Sequence, residues 1–509
     1  MSISLGEPVT ASDVVAVAAG AVVTFGDDAR ARVVAARTVI DDAVASGETI
    51  YGVTTGFGSL AHTRVDPADA SALQHGIVRS HATAVGAPLP REEARAMLLL
   101  RAHVLALGHS GVRPEVIDLM VSMLNQDVIP VVPQQGSLGA SGDLAPLANL
   151  ALPLIGQGEV LAADGGVEPA STAMARAGLE SLTLEAKEGL ALVNGTQGML
   201  AIGIIATERA ALLARTADVV AAMTIEAALG TDRPFDERLQ ALRPHAGQSA
   251  SASNLRRLLA GSPILASNRD SPHLVQDAYS LRCAPQVHGA TRDALAYAGE
   301  VLRIEANSVS DTPIVLAEGA VVSGGNFHGQ PVAVALDTVA TALVSLASIS
   351  ERRLYRLLDE HQSNGLPPFL VHGSGLNSGF MLVQYTAASL VSESKSLAHP
   401  ASVDSIPSSA GQEDHVSMGM TSARHARDVL ANAETVLALE ALGAAQALDL
   451  RAPLEPGPAT SAVHGAIRDR VPFFEADREF GPDIAEAVNL VHDGLVVAAA
   501  EAALGGELD

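Results

Sequence analysis

Tryptophan is absent, cysteine occurs once, at Cys283, and lysine twice, at Lys187 and Lys395, in a chain of 509 residues. A single thiol can form neither an intrachain disulfide, nor a thiolate zinc site, nor an iron–sulfur cluster, and this usage fits a reducing, cytoplasmic compartment. Two lysines with no phosphate-binding loop beside them argue against pyridoxal phosphate (PLP). Basic residues are outnumbered, 32 Lys+Arg against 57 Asp+Glu for a net charge of −25, so the surface repels nucleic acid and anionic lipid. With aromatics at only 3%, the core must be built from Ala, Leu, Val and Ile, which suit closely packed helices.

No basic n-region opens the chain: the first arginine is Arg30, and Glu7 and Asp13 interrupt the apolar residues before it, which argues against a secretory signal. The longest charge-free stretch, His361 to Ser392, is broken by Pro367, Pro368 and several glycines and cannot be one membrane helix. A soluble enzyme with no membrane partner is expected.

Glycine and proline end helices, so their absence over many residues permits long ones. Three such stretches are Val332 to Asn364, Ile204 to Leu229 and Met420 to Leu442, and they predict the rods of a long-helix bundle. In the first, Val332, Leu336, Val339, Leu343, Leu346, Ile349, Leu354 and Leu357 recur at mostly three- and four-residue steps. At ~1.5 Å per residue it would span roughly 50 Å, and a neighbouring subunit is expected to cover part of its apolar stripe. Residues 1–198 read as a smaller, mixed and loop-rich domain, with a helix over Glu92 to Ala106 and a β-like piece over Asp127 to Pro133; residues 199–509 read as the bundle and a helical C-terminal region. The fold class is mainly α.

Common chemistries are missing. No G-x-x-x-x-G-K-[ST], H-E-x-x-H or G-x-S-x-G occurs, and Gly56, Gly58 and Ala61 match a dinucleotide fingerprint only degenerately. No metal site is expected. What stands out is a set of polar, Gly-rich islands: Tyr51 to Gly58, Gly136 to Pro146, Val193 to Gly198, Gln276 to Gln286, Ser323 to His328 and Ser405 to Met418. Any one could be a turn or cap; six together point to functional loops.

At Ala140, Ser141 and Gly142 the chain resembles the aromatic amino-acid ammonia-lyases, over nearly its whole length, and within them the histidine-selective branch. That resemblance implies a fumarase/ammonia-lyase-like fold and a prosthetic group made by the chain itself. In this family the tripeptide cyclises: the Gly nitrogen attacks the Ala carbonyl, and two dehydrations leave a methylidene-imidazolone electrophile. The residue types make sense, since Gly142 has no Cβ to block the approach and Ser141 carries the hydroxyl that is lost. Side chains supply acids and nucleophiles but no strong electrophile, which removing ammonium from beside an unactivated CH₂ requires.

By the same resemblance, Asn194 contacts the ring, Tyr279 hydrogen-bonds near it, and Arg282 clamps the substrate carboxylate. Gln276, Asn326 and Phe327 match further pocket residues. Tyr51 matches the lid tyrosine usually assigned as the base, although a tyrosine titrating near ~10 needs its pKa lowered for that work; Glu413 is the competing base. Ser80 and His81 match the selectivity pair of the histidine-selective members, and Glu413 stands where other members place Gln, so that a carboxylate is offered to an imidazole N–H. Thr54 departs from the usual histidine pattern and is shared with aminomutases, and Gly411 departs as well. The implied reaction is deamination of L-histidine to trans-urocanate and ammonia by a homotetramer with active sites shared among subunits; tyrosine ammonia-lyase or tyrosine 2,3-aminomutase is the alternative. Two competing readings are weaker. Ser408 and Ser409 begin a fumarase-type signature that Ala410, Gly411 and Gln412 break, and the intact tripeptide with Tyr51, Arg282 and Glu413 argues against an inactive scaffold.

Overall fold

The computed structural model describes residues 2–162, 165–269 and 275–509. Among them the strands pair only two at a time, in four separate two-stranded sheets, and so small a ribbon cannot carry a core. Helices carry it, and the fold is mainly α. The β-like piece expected over Asp127 to Pro133 contributes only the start of the Pro133–Gln135 strand and a bridge from Pro130 to Val160.

Three helices dominate: Gln197–Ala227, Gln330–Leu358 and Gly419–Asp449. Each corresponds to an expected rod, with different ends. Gly203 and Gly443 lie inside helices where they were expected to end them: a Cβ on Gly203 would come 2.9 Å from Leu336 Cδ2, and one on Gly443 would come 2.6 Å from Leu354 Cδ1. Close helix approach holds these glycines in place despite about 1 kcal/mol of lost helix propensity. The Gln330–Leu358 helix stops short of Asn364 because the Asp359 carboxylate turns the chain, accepting the His361 N–H at 2.9 Å and the Gln362 amide at 2.6 Å. Its stripe from Val332 to Leu357 is buried by the chain's own packing, while Val334 and Tyr355 on the same helix are each 40% exposed. By length and composition Gln197–Ala227 and Gln330–Leu358 could each cross a membrane, yet 78% and 61% of their apolar windows are buried inside the protein.

Contacts group into two compact units. The first comprises Met1–Ile205, Ala298–Asp337 and Pro400–Arg424; the second comprises Ala206–Tyr297, Thr338–His399 and His425–Asp509. This differs from a single cut near Gly198, because the boundary falls inside the three long helices and inside Ala284–Ala306. Helix length can be read from a sequence, but which half of a helix packs with which segment cannot.

The second unit buries a chain of charges. Arg353 grips Glu440 with Nε at 2.5 Å and Nη2 at 2.8 Å, and Thr224 and Ser350 donate to the same carboxylate at 2.7 and 2.6 Å. Asp218 takes His288 Nδ1 at 2.7 Å, Arg292 at 2.6 Å and Ser251 at 2.5 Å, while His288 Nε2 lies 3.2 Å from Arg353 Nη1.

Candidate active site

The first unit holds a cavity of about 720 Å³ whose wall includes Tyr51, His81, Ala140, Ser141, Asn194, Phe327 and Glu413. The tripeptide turn is built on positive backbone angles: Gly139, Ser141 and Gly142 have φ of 78°, 48° and 78°. A Cβ on Gly142 would lie 1.9 Å from the Gly195 carbonyl oxygen, so only glycine fits there. Two bonds fasten the turn: Asp143 N–H donates to Gly195 O at 2.7 Å, and Gly195 N–H to Ser141 O at 3.2 Å. The buried Asp143 carboxylate accepts Met199 N–H at 2.7 Å and the Ser137 hydroxyl at 2.9 Å. Burial outweighs these bonds and pushes its carboxyl up to about 6.

Asn194 caps the short helix Glu188–Val193, and Arg101 Nη1 holds its carbonyl at 2.8 Å. Its side-chain nitrogen donates to Asp311 Oδ1 at 3.1 Å and to Thr312 O at 3.4 Å. Asp311 Oδ2 in turn takes Lys187 Nζ at 2.8 Å, both side chains being fully buried.

Tyr51 begins the loop that runs to Gly58, and its hydroxyl accepts the Gly58 N–H at 2.9 Å. Burial raises its phenol above the usual 10, the Gly58 N–H opposes this, and the nearby Glu413 charge adds to it. Tyr51 therefore keeps its proton at neutral pH, the reverse of the lowering that a base would need. Thr54 stands inside the same loop, donating to Glu48 O at 2.8 Å and accepting Ile50 N–H at 2.8 Å. It is buried and absent from the cavity wall. Ser59 N–H donates to Ser409 Oγ at 3.3 Å and so ties this segment to the loop that carries Glu413.

His81 closes the helix Ala70–His81, with Nδ1 3.0 Å from Ser80 Oγ. Burial holds its pKa below the usual 6.5, against smaller opposing effects of Ile77 O and Glu413, so the ring is neutral at pH 7. Glu413 Oε2 accepts the Ser408 hydroxyl at 2.8 Å, across a tight turn in which Ser409 and Ala410 have φ of 47° and 53°. A carboxylate, a neutral imidazole and a phenol thus border one cavity with Ala140 and Ser141.

Other expected residues lie elsewhere. Asn326 is exposed, donates to Val309 O at 3.2 Å and is outside the wall that its neighbour Phe327 helps form. Gln276 and Arg282 line a separate cavity of about 440 Å³ in the second unit. Tyr279 is 72% exposed, with the Arg282 guanidinium 4.7 Å from its ring centroid. Arg282 Nε is buried with no hydrogen-bond partner among the described residues. Among those residues no group of three or more His, Cys, Asp or Glu could hold a metal ion. Lys187, Asp311 and Arg101 underlie Asn194 and are absent from the expected site residues; the rarity of lysine marks Lys187 in the sequence, and nothing marks Asp311 or Arg101.

The aromatic amino acid lyase profile matches residues 9–469, and the chain belongs to that family. It is 54% identical to a histidine ammonia-lyase of Sorangium cellulosum, covering 98% of this chain and 99% of that one. Among solved structures it is similar to a histidine ammonia-lyase from Trypanosoma cruzi, with 42% identity, TM-score 0.91 and coverage of 99% and 96%. A tyrosine aminomutase from Streptomyces globisporus aligns with 39% identity, TM-score 0.95 and complete coverage of both chains.

Proposed function

We propose that the protein deaminates L-histidine to trans-urocanate and ammonia, with a methylidene-imidazolone formed from Ala140, Ser141 and Gly142 and with neither metal nor pyridoxal phosphate. The observation that carries this is the single cavity joining Ala140 and Ser141 to Asn194, His81 and Glu413. The tripeptide fits the ring: closure needs a tight turn with no Cβ at Gly142, and the chain makes that turn. The chemistry such a ring supplies is a strong electrophile beside an amino group that otherwise leaves poorly.

The chain's own residues do the rest. Glu413 accepts an imidazole N–H, and neutral His81 beside it offers a second polar contact without repelling a cationic substrate. Asn194 faces the reacting end. Tyr51, protonated in this chain, donates from the lid and helps to exclude water, and Glu413 is the competing proton acceptor. Arg282, with Nε unpartnered, and exposed Tyr279 and Gln276 are read as serving a cavity of another chain, in a cytoplasmic homotetramer with shared sites. Asn326 positions Phe327 in this reading.

The second reading is tyrosine ammonia-lyase or tyrosine 2,3-aminomutase, favoured by the higher TM-score of the aminomutase structure. Thr54 lends it little, since its hydroxyl is spent on the lid backbone. The test incubates purified protein, with no added cofactor, with L-histidine, L-tyrosine and L-phenylalanine separately, and follows ammonia and the unsaturated acid. Preference for histidine is expected. Preference for tyrosine, or formation of β-tyrosine, would transfer the assignment to the second reading, and neither ammonia nor a β-amino acid from any of the three would overturn both.

A further inference from the structure

Beneath the cavity lies a fully buried ion pair that the chemistry above does not use. Lys187 Nζ meets Asp311 Oδ2 at 2.8 Å, and no solvent reaches either side chain. Isolating two charges from water costs several kcal/mol per ion, and an apolar pair of similar volume often serves stability as well or better. Stability alone is therefore a weak reason for this pair to exist.

The other oxygen of Asp311 shows what the pair does. Oδ1 lies between two donors, Thr312 N–H at 2.7 Å and the Asn194 side-chain nitrogen at 3.1 Å. That nitrogen also reaches Thr312 O at 3.4 Å. Both amide hydrogens of Asn194 are thus directed at acceptors, and the group it can offer to a cavity occupant is its carbonyl oxygen. Turning the amide over would set that oxygen against a carboxylate and leave the buried N–H groups without their partners. Lys187 Nζ, bonded to Oδ2, holds the Asp311 carboxylate turned so that Oδ1 accepts from Asn194.

The backbone of the same turn is pinned separately. Arg101 holds Asn194 O at 2.8 Å and also the Ala191 carbonyl, while Gly195 is bonded on both sides to the Ala140–Asp143 turn. With its main chain fixed, the remaining freedom of Asn194 is its side-chain rotation, and Asp311 removes it.

We propose that Lys187 and Asp311 are positioning residues: they lock the Asn194 carboxamide so that its oxygen, an acceptor, meets an N–H donor of the substrate. The role of that donor rests on the functional reading above; the lock itself does not. Charged single variants would leave a buried ion unpaired and are a poor test. Two neutral double variants are better: Lys187→Met/Asp311→Asn keeps an acceptor for Asn194, and Lys187→Met/Asp311→Leu has none, at similar volume.

Both are expected to show an intact mass short of the sequence by two waters. The Leu double is expected to fall at least tenfold below the Asn double in kcat/KM. Adding Asn194→Ala should cost the Leu double little further activity and the Asn double about as much as the Leu change did. Melting temperature supplies a read-out independent of turnover: Asn194→Ala should lower it more in the Asn double than in the Leu double, which retains only the longer bond to Thr312 O. Equal kcat/KM in the two doubles, or equal melting shifts on Asn194→Ala, would overturn the proposal. Loss of the two-water deficit in the Leu double alone would also overturn it, by moving the effect to ring closure. A wild type that releases ammonia from no aromatic amino acid would sink the functional reading alone, and the melting comparison would still decide the lock.

Discussion

The two units bury charge to different ends. In the second, Arg353 with Glu440, and His288 and Arg292 with Asp218, join residues of separate long helices through bonds that saturate both carboxylates. In the first, the buried charges Asp143, Asp311, Lys187 and Arg101 sit under loops: they hold the tripeptide turn and the Asn194 turn against each other and leave one face open to a cavity. A helix needs little help to keep its shape, so buried ions between helices set their register. A loop of left-handed turns has no repeating hydrogen bonds of its own, so buried ions there set its conformation. Variants in the first unit should accordingly change catalysis more than stability, and variants in the second the reverse.

The largest expected effect is on the catalytic side. Ser141→Ala should melt like the wild type and lose essentially all turnover, and its intact mass should no longer fall short by two waters. Full activity in that variant would remove the self-made electrophile from the mechanism. Next comes the bundle: Arg353→Met leaves the Glu440 carboxylate buried without its cation, and urea unfolding should register a loss of about 3–5 kcal/mol. A loss below about 1 kcal/mol would erase the distinction between the units.

A pH measurement sharpens the comparison within the first unit. The Asp143 carboxyl is pushed up to about 6 from an unfolded value of 3.8, so the folded chain holds this proton more tightly than the unfolded one. The stability it contributes is fully present below about 3.8 and is lost as pH rises through about 6. At about 1.36 kcal/mol per factor of ten in proton affinity, the change is on the order of 3 kcal/mol. Stability of wild type minus that of Asp143→Asn should therefore fall between pH ~4 and ~6. A flat difference would mean that the hydrogen bonds to Asp143 cancel its burial.

Much of this division was legible beforehand, for reasons that differ between the units. Long runs free of Gly and Pro announced the three helices, and in Val332 to Asn364 three- and four-residue apolar steps did so as well, because burial of one face is written at that period. Their ends were not legible, because Gly203 and Gly443 answer to Leu336 and Leu354, residues far away in sequence. At the site, Ala140, Ser141, Asn194 and Glu413 fall in polar islands and His81 is reached through the family resemblance, and the structure brings these five to one wall. The state of Tyr51 could not be read, since it depends on burial and on the charge of Glu413. Nor could the support under Asn194: Lys187 and Asp311 are 124 residues apart, and nothing in either neighbourhood announces the other.

The smallest expected effect is the one that decides the substrate. If the cavity reads imidazole through Glu413 and His81, Glu413→Gln removes a charge-assisted hydrogen bond worth roughly 1.5–3 kcal/mol, or about one to two powers of ten in histidine turnover. Stability should hardly move, since the Ser408 hydroxyl can donate to an amide oxygen as it does to the carboxylate at 2.8 Å. A fall well beyond two powers of ten would mean that Glu413 also moves a proton, as expected if protonated Tyr51 cannot act as the base. His81→Phe should shift preference toward a phenyl ring, because it replaces a polar partner at the cavity end with apolar surface. The measurement is the ratio of histidine to tyrosine kcat/KM in wild type and in both variants. A wild-type ratio below one would defeat the histidine assignment and leave the self-made electrophile standing, whereas a ratio that collapses only when Glu413 or His81 is changed would fix the imidazole-reading end of the cavity on that pair.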